Sequence, residues 1–141
     1  MSAEKPCVFC QIVRGERQAP VVFEDESTLA FLDHRPLFPG HVLVVPKQHR
    51  ATLLDLAPEE ISAVFGAAQR LGRAVEVALQ ADGFFVAVNN GVSQSVPHLH
   101  VHVVPRRRGD GLRGFFWPRH PYRDDAQLEE VRAAIADAAR K

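Results

Sequence analysis

The chain has no excess of charge of either sign and no long hydrophobic run. Its 141 residues include 17 basic and 17 acidic side chains, so the net charge is zero with histidine neutral. Balanced charge provides no general electrostatic attraction to nucleic acid or to a membrane surface. No apolar stretch approaches the roughly 18 residues that a membrane span requires, and the amino terminus lacks the apolar segment of a signal peptide. We therefore expect a cytoplasmic protein that contacts neither membranes nor nucleic acid.

Internal repeats and low-complexity segments are also missing, apart from an alanine-rich carboxyl-terminal stretch that is typical of a helix. A chain of this length can bury one hydrophobic core without being divided by linkers. We expect a single domain over residues 1–141, in which residues 106–141 form a basic and aromatic tail followed by a carboxyl-terminal helix.

The spacing of apolar residues predicts an α+β fold. Short β-rich runs predict five strands, at residues 21–25, 28–33, 41–46, 84–89 and from 98 onward. An apolar stripe at helical spacing predicts a long helix from Pro58 to about Ala81, with Gly83 at its end. A second helix is expected from about Asp125. Because the strands follow one another without regular βαβ alternation, we expect an antiparallel sheet.

The segment HLHVHVVP, which begins at residue 98, places three histidines at alternate positions. In an extended chain His98, His100 and His102 share one face, while Leu99 and Val101 point to the other. The aliphatic face is therefore expected in the core, and the histidine face is expected to form a site. Neighbouring imidazoles would be about 6 to 7 Å apart along the backbone, a spacing that suits one elongated ligand.

Three interpretations of the histidine row compete. Unrelated core or surface histidines are disfavoured by the strict period of two. A three-histidine metal site is disfavoured because the first and third positions are about 13 Å apart along a strand. The third interpretation is nucleophilic catalysis on phosphorus, since a neutral imidazole attacks without a strong base and its neighbours can stabilise charge.

Several segments around the row resemble the histidine-triad (HIT) family. QSVPHLHVHVVP matches the His-x-His-x-His signature of that family, and CVFCQIVRGE, LAFLD, PGHVLVVPKQH and VAVNNG precede it in the family's order. The resemblance implies a single HIT domain whose α+β protomers form a homodimer. It also implies a nucleotide hydrolase or nucleotidyl transferase that acts on a small-molecule nucleotide without an organic cofactor.

The resemblance assigns roles residue by residue. His100 would be the nucleophile, His102 would contact the phosphate, and His98 would fix the orientation of the row. His41 matches a further active-site histidine. The nucleotide would contact Phe31 at the base, Asp33 at the ribose hydroxyls, and Asn89, Gln94, Ser95, His100 and His102 around the phosphate.

The only two cysteines, Cys7 and Cys10, form a Cys-x-x-Cys pair, a spacing that serves zinc sites and redox pairs alike. His49 and His98 follow at intervals similar to those in the zinc-binding members of the family. The resemblance therefore implies a structural zinc site of the closed tetrahedral kind, made by Cys7, Cys10, His49 and His98. A reduced, metal-free pair and a redox pair are the alternatives.

Between Arg106 and Arg123, six arginines are interspersed with aromatic residues. This pattern occurs on nucleic-acid-binding surfaces and also where a tail packs its rings on a sheet and leaves its charges in water. We favour the second interpretation. The alternative places Trp117 and nearby arginines at the border of the substrate site.

The leading functional hypothesis is hydrolysis or transfer at the α-phosphate of a purine nucleoside phosphoramidate, an adenylate or a dinucleoside polyphosphate. The reaction would pass through a nucleotidyl-histidine intermediate at His100. The alternative, from a different class, is a nucleotide-binding, zinc-stabilised interaction module with little turnover.

Overall fold

The computed structural model describes residues 6–112 and 119–140. The chain divides into two compact units, residues 1–108 and residues 109–141, and each is described by itself. The first unit contains, in chain order, α1 (Val8–Val13), β1 (Val21–Glu24), β2 (Thr28–Leu32), β3 (Val42–Pro46), a 3₁₀ turn (Leu53–Asp55), α2 (Pro58–Leu79), β4 (Gly83–Val88) and β5 (Val101–Arg106). The second unit contains α3 (Asp125–Ala139).

The five strands form one sheet in the order β1-β2-β3-β5-β4, and every neighbouring pair is antiparallel. The predicted α+β class and five-stranded antiparallel sheet are therefore confirmed. The bounds of the first four strands agree with the predicted ones to within one residue, whereas β5 begins at Val101 and not at His98. Val101 pairs with Val88, which is the last residue of β4, so the pairing of β5 with β4 does not extend to residues 98–100. Instead, the Leu99 N–H donates to the Arg50 carbonyl at 2.7 Å.

The long predicted helix is α2, which starts at Pro58 as expected. The Glu60 carboxylate accepts a hydrogen bond from the Ala57 N–H at 3.0 Å and so satisfies one free donor of the first turn. The predicted end was wrong: Gln80 adopts the left-handed conformation (φ 53°) that terminates the helix, and Gly83 begins β4. Among the described residues, neither α2 nor another helix has the length and hydropathy needed to cross a bilayer.

The sheet carries an apolar layer on each face, and the two helices of the first unit cover different layers. On one face α2 packs on a core that includes Ala30, Val44 and Val103. On the other face Phe9 of α1 packs with Leu29, Phe31, Leu43 and Val45. The alternation of side chains along each strand thus separates the core under α2 from the apolar layer under α1.

The second unit confirms the predicted carboxyl-terminal helix. Asp124 caps α3 by accepting a hydrogen bond from the Gln127 N–H at 2.8 Å. No residue of α3 is buried in the part of the chain that the structure describes. Of the aromatic residues in the predicted tail, Phe115, Phe116 and Trp117 lie outside the described residues, and Tyr122 is described and exposed.

Two glycines of α2 provide a matched test of this packing. A methyl group at Gly72 would overlap the Phe84 ring, whereas one at Gly66 would meet no atom within 4 Å. We expect Gly72→Ala to lower the free energy of unfolding by about 1 to 3 kcal/mol through overpacking. Gly66→Ala should raise it by up to about 1 kcal/mol, because alanine is the better helix former. Urea denaturation of both variants checks this, and equal effects would contradict the packing.

Candidate functional site

The three histidines of the row lie on the α1 face, while Val101 and Val103 face the opposite layer. His98 and His100 are buried, and His102 is half-buried. The His100 and His102 ring centroids are 5.0 Å apart. Val101 and Val103 belong to the core under α2. The alternation expected from the sequence therefore holds at these positions, although the row starts before β5.

His100 is held in one tautomer by the backbone. Its Nδ1 lies 2.8 Å from the His98 carbonyl oxygen, and a carbonyl can only accept, so Nδ1 carries the proton. In the neutral ring Nε2 then has a free lone pair. The ring also borders a cavity of about 460 Å³. The arrangement thus provides a nucleophilic nitrogen whose orientation is set by a main-chain hydrogen bond.

A chain of hydrogen bonds fixes the tautomer of His102 in the same way. The Leu37 N–H donates to His41 Nδ1 at 3.0 Å, so the neutral His41 ring carries its proton on Nε2. His41 Nε2 lies 2.9 Å from His102 Nδ1 and donates to it. His102 therefore carries its remaining proton on Nε2. This leaves an N–H donor on the ring next to His100, which suits an anionic oxygen.

Burial keeps these two rings neutral. Desolvation, followed by the neighbouring His100 and His41, lowers the pKa of His102 from 6.5 to about 4. Burial also lowers the pKa of His41, and the Asp33 carboxylate only partly opposes it. Neutral rings are what the hydrogen-bond chain requires, because a protonated His41 could not accept the Leu37 N–H.

The cavity beside the row joins an apolar pocket to polar groups. Its apolar walls come from α1 and the sheet and include Phe9, Ile12, Phe31 and Leu43; its polar lining includes Asp33, Ser95, His100 and His102. The Asp33 carboxylate accepts the Arg35 N–H at 2.9 Å through one oxygen, and the other oxygen lies 3.8 Å from His41 Nε2. A carboxylate at the edge of an apolar pocket suits a ligand with a flat hydrophobic part and hydroxyl donors.

Next to the row, Cys7, Cys10, His49 and His98 form a cluster with metal-binding chemistry. One ligand atom from each lies within 4.8 Å of all the others. The Cys7 Sγ is 3.3 Å from His98 Nδ1, and the Cys10 Sγ is 3.4 Å from His49 Nδ1 and 3.6 Å from His98 Nδ1. Tetrahedral zinc with ordinary bond lengths separates sulfur and nitrogen ligands by roughly 3.6 Å. The four residues therefore fit a zinc ion.

The tautomer of His98 also suits a metal. Its Nε2 donates to the buried Pro46 carbonyl at 2.9 Å, so Nδ1 is unprotonated and faces the thiols. Desolvation lowers the pKa of His98 to about 4, which keeps the ring neutral. An imidazole ligand whose second nitrogen is fixed by a carbonyl is the usual supporting arrangement at metal sites.

A second group, Asp33, His41 and His102, also brings possible ligand atoms within 4.8 Å of one another. Its two ring nitrogens are already joined by the His41 to His102 hydrogen bond. We therefore interpret this group as a hydrogen-bond relay.

Comparison with known proteins agrees with this geometry. Residues 14–109 match the family model described as HIT domain. The chain belongs to the HIT family. An uncharacterized HIT-like protein of Mycobacterium tuberculosis is 42% identical over 141 residues, covering 95% of this chain and 97% of that protein. The adenosine 5'-monophosphoramidase hnt1 of Schizosaccharomyces pombe is 32% identical over 129 residues, covering 90% and 91%.

One similar solved structure contains bound zinc. The crystal structure of a Zn-bound histidine triad family protein from Mycobacterium smegmatis superposes with a TM-score of 0.73 and 42% identity, covering 91% of this chain and 96% of that one. The predicted family and HIT fold are therefore confirmed for this chain.

Most of the predicted site residues of this HIT chain come together. Phe31, Asp33, Ser95, His100 and His102 all line the cavity. Two predicted nucleotide contacts do not. The Gln94 side chain instead binds two backbone groups: it accepts a hydrogen bond from the Gly91 N–H at 3.0 Å and donates one to the Ala51 carbonyl at 2.6 Å. Asn89 is exposed and is not among the cavity's lining residues.

Helix α1 was not predicted from the sequence. This helix supplies Val8, Phe9 and Ile12 to the cavity wall, and the Phe9 ring meets the His100 ring edge to face at 5.1 Å between centroids. The signal was present, because Val8 and Ile12 are four residues apart and so share a helix face.

The neutral state of His102 predicts a pH-dependent stability. Between pH 6.5 and about 4 the unfolded ring binds a proton that the folded ring does not, so the free energy of unfolding rises with pH across that window. We expect the His102 ring to account for a loss of about 2 kcal/mol on acidification, after allowance for solvent screening. His102→Gln should remove that part of the slope in urea denaturation. Parallel pH profiles for the variant and the native sequence would contradict it.

Proposed function

We propose that this chain hydrolyses or transfers nucleotides at the α-phosphate, with His100 as the nucleophile. The substrates would be purine nucleoside phosphoramidates, adenylates or dinucleoside polyphosphates. The observation that carries the proposal is the hydrogen bond from His100 Nδ1 to the His98 carbonyl, which leaves Nε2 unprotonated beside a cavity. The named activity of the S. pombe relative, an adenosine 5'-monophosphoramidase, supports the same class of substrate.

Substrate binding follows from the lining of the cavity. The purine lies in the apolar part, between the Phe31 wall and the residues of α1. The Asp33 carboxylate accepts hydrogen bonds from the ribose hydroxyls. The α-phosphate then lies next to His100, His102 and Ser95. This orientation places the phosphorus where the Nε2 lone pair can reach it.

In the first chemical step His100 Nε2 forms a bond to phosphorus, and the bond from phosphorus to the leaving group breaks. The leaving group takes the electron pair of that bond and a proton, which the Ser95 hydroxyl donates. The His98 carbonyl stabilises the positive charge that develops on the imidazole. His102 Nε2–H donates to a non-bridging phosphate oxygen.

In the second step water attacks the phosphorus and gives a proton to the Ser95 oxygen, and the bond between phosphorus and His100 breaks. This step releases the nucleoside monophosphate and regenerates the neutral ring and the Ser95 hydroxyl. An alcohol or a phosphate in place of water completes a transfer reaction. The relay from Leu37 through His41 keeps the His102 donor in place through both steps.

We also propose that Cys7, Cys10, His49 and His98 hold a structural zinc ion. The ion would cross-link α1 and the residues after β3 to the histidine row, and it would take no part in bond making. The distances between the four ligand atoms and the Zn-bound M. smegmatis structure support this proposal. A cytoplasmic homodimer without an organic cofactor stays a proposal that rests on the family resemblance.

The covalent step can be tested by intact mass spectrometry of acid-quenched protein after brief mixing with adenosine phosphoramidate. We expect a transient adduct of one AMP per chain. His100→Ala should abolish the adduct and lower turnover by roughly 10⁴-fold or more, since the nucleophile is lost. His120→Ala, in the second unit, is the matched control and should behave like the native sequence. An adduct that persists in His100→Ala contradicts the mechanism, and AMP binding without adduct or turnover favours the binding-module alternative.

The zinc proposal predicts a loss of stability that is larger than the loss of chemistry. Cys7→Ala and Cys10→Ala should each lower the melting temperature by about 5 °C or more, because a folding cross-link is removed. The rate per folded molecule should change less. Native mass spectrometry measures the metal content of the same samples, and unchanged metal content and melting temperature would refute the site.

A further inference from the structure

The Cys7 and Cys10 thiols are the part of the site that the nucleotide chemistry does not use. Both are free and half-buried, and their sulfur atoms lie within 4.8 Å of each other. The Cys10 N–H also donates to the Cys7 Sγ at 3.4 Å, so the two residues occupy one turn. A disulfide has sulfurs about 2.0 Å apart, so a small movement within that turn would close the bond.

The outer edge of the cluster is open to solvent. Both sulfurs contact the buried His98, and Cys10 also contacts the exposed His49. A small oxidant therefore reaches the Cys10 sulfur from the surface. Metal ligation keeps such a sulfur deprotonated, and the thiolate is the form that peroxides oxidise.

The same segment forms part of the catalytic site. Phe9, between the two cysteines, packs edge to face on the rings of His98 (5.8 Å), His100 (5.1 Å) and Phe31 (5.4 Å). His98 joins the cluster through its ring and holds His100 through its carbonyl. A shift of the two sulfur atoms would therefore displace Phe9, which lines the cavity, and His98, whose carbonyl orients the proposed nucleophile His100.

We propose that Cys7 and Cys10 are a reversible modification site at which a peroxide forms a disulfide, and that this disulfide expels the metal and loosens α1 from the histidine row. This inference rests on the zinc part of the proposed function. Oxidation thereby lowers nucleotide binding and His100 chemistry together, through loss of the Phe9 wall and of the fixed His98 ring.

The reaction is balanced with a peroxide as the oxidant. The Cys10 thiolate attacks one peroxide oxygen, the O–O bond breaks, and a sulfenic acid and a hydroxide ion form. The Cys7 thiolate then attacks the Cys10 sulfur, the S–O bond breaks, and a second hydroxide ion leaves. Each hydroxide takes a proton from solvent, so two thiolates, one hydrogen peroxide and two protons become one disulfide and two waters. The metal loses both sulfur ligands, because a disulfide sulfur is not a thiolate donor.

The test treats the zinc-loaded full chain with hydrogen peroxide and follows three quantities. Intact mass should fall by two hydrogen atoms, with a Cys7–Cys10 linkage in the peptide map. One zinc ion per chain should appear with a chromogenic chelator. AMP affinity, measured by calorimetry, should fall by about 10-fold or more, as expected when a ligand-supporting contact is lost. A dithiol reductant with added zinc should restore all three.

The matched control is Cys10→His, which keeps a nitrogen donor for the metal and cannot form the disulfide. Each variant is compared with its own untreated sample, and the control should keep its zinc and its AMP affinity under peroxide. Equal peroxide sensitivity in the control overturns the proposal. In the native sequence, a mapped disulfide with zinc retained, or zinc loss with only sulfinic acid formed, overturns it as well, whatever the behaviour of the control.

These readouts separate the inference from the proposals on which it builds. A chain purified without zinc that takes up none overturns both the zinc proposal and this one. Zinc release, disulfide formation and weaker AMP binding after oxidation support this inference even in a protein that never forms the AMP adduct. The missing adduct overturns only the catalytic proposal.

Discussion

The backbone carbonyl of His98 accepts the Nδ1–H of His100, and the rest of the site depends on this contact. It fixes which nitrogen of His100 is free, and it does so with a main-chain group that does not titrate. The position of that carbonyl is in turn set by the His98 side chain, which is held between the thiols on one side and the Pro46 carbonyl on the other. The proposed nucleophile is thus oriented by a residue that does not line the cavity.

Burying imidazoles is unfavourable unless their polar atoms are satisfied, and the fold solves this with a specific partner for each ring. Carbonyls serve His98 and His100, and a backbone N–H followed by a second ring serves His41 and His102. Within the described residues no buried side-chain nitrogen or oxygen lacks a hydrogen-bond partner. The same burial lowers the pKa values of His41, His98 and His102, so neutrality and tautomer support each other.

The sheet is the frame that makes these contacts possible. The antiparallel pairing of β3 with β5 places Leu43 opposite His102. His41 directly precedes β3 and therefore lies close to His102. The α2 core on the opposite face fixes the position of these strands without contributing to the cavity. The cavity and the histidine row therefore lie on one face of the sheet, with the apolar layer of α1, and the α2 core lies on the other face.

The sequence alone determined the features that depend on local periodicity. The alternation around His100 predicted a buried aliphatic face and the stripe of α2 predicted a long helix, and both follow from spacing along the chain. The HIT family was predicted from the resemblance of the ordered motifs to that family. The tertiary structure alone decided which groups meet across long separations. It placed Phe9 against His100, directed Gln94 to the Ala51 carbonyl, and set the tautomers of His41, His98, His100 and His102. Spacing cannot determine these features, because a hydrogen-bond partner is chosen by the folded positions of residues far apart in the chain.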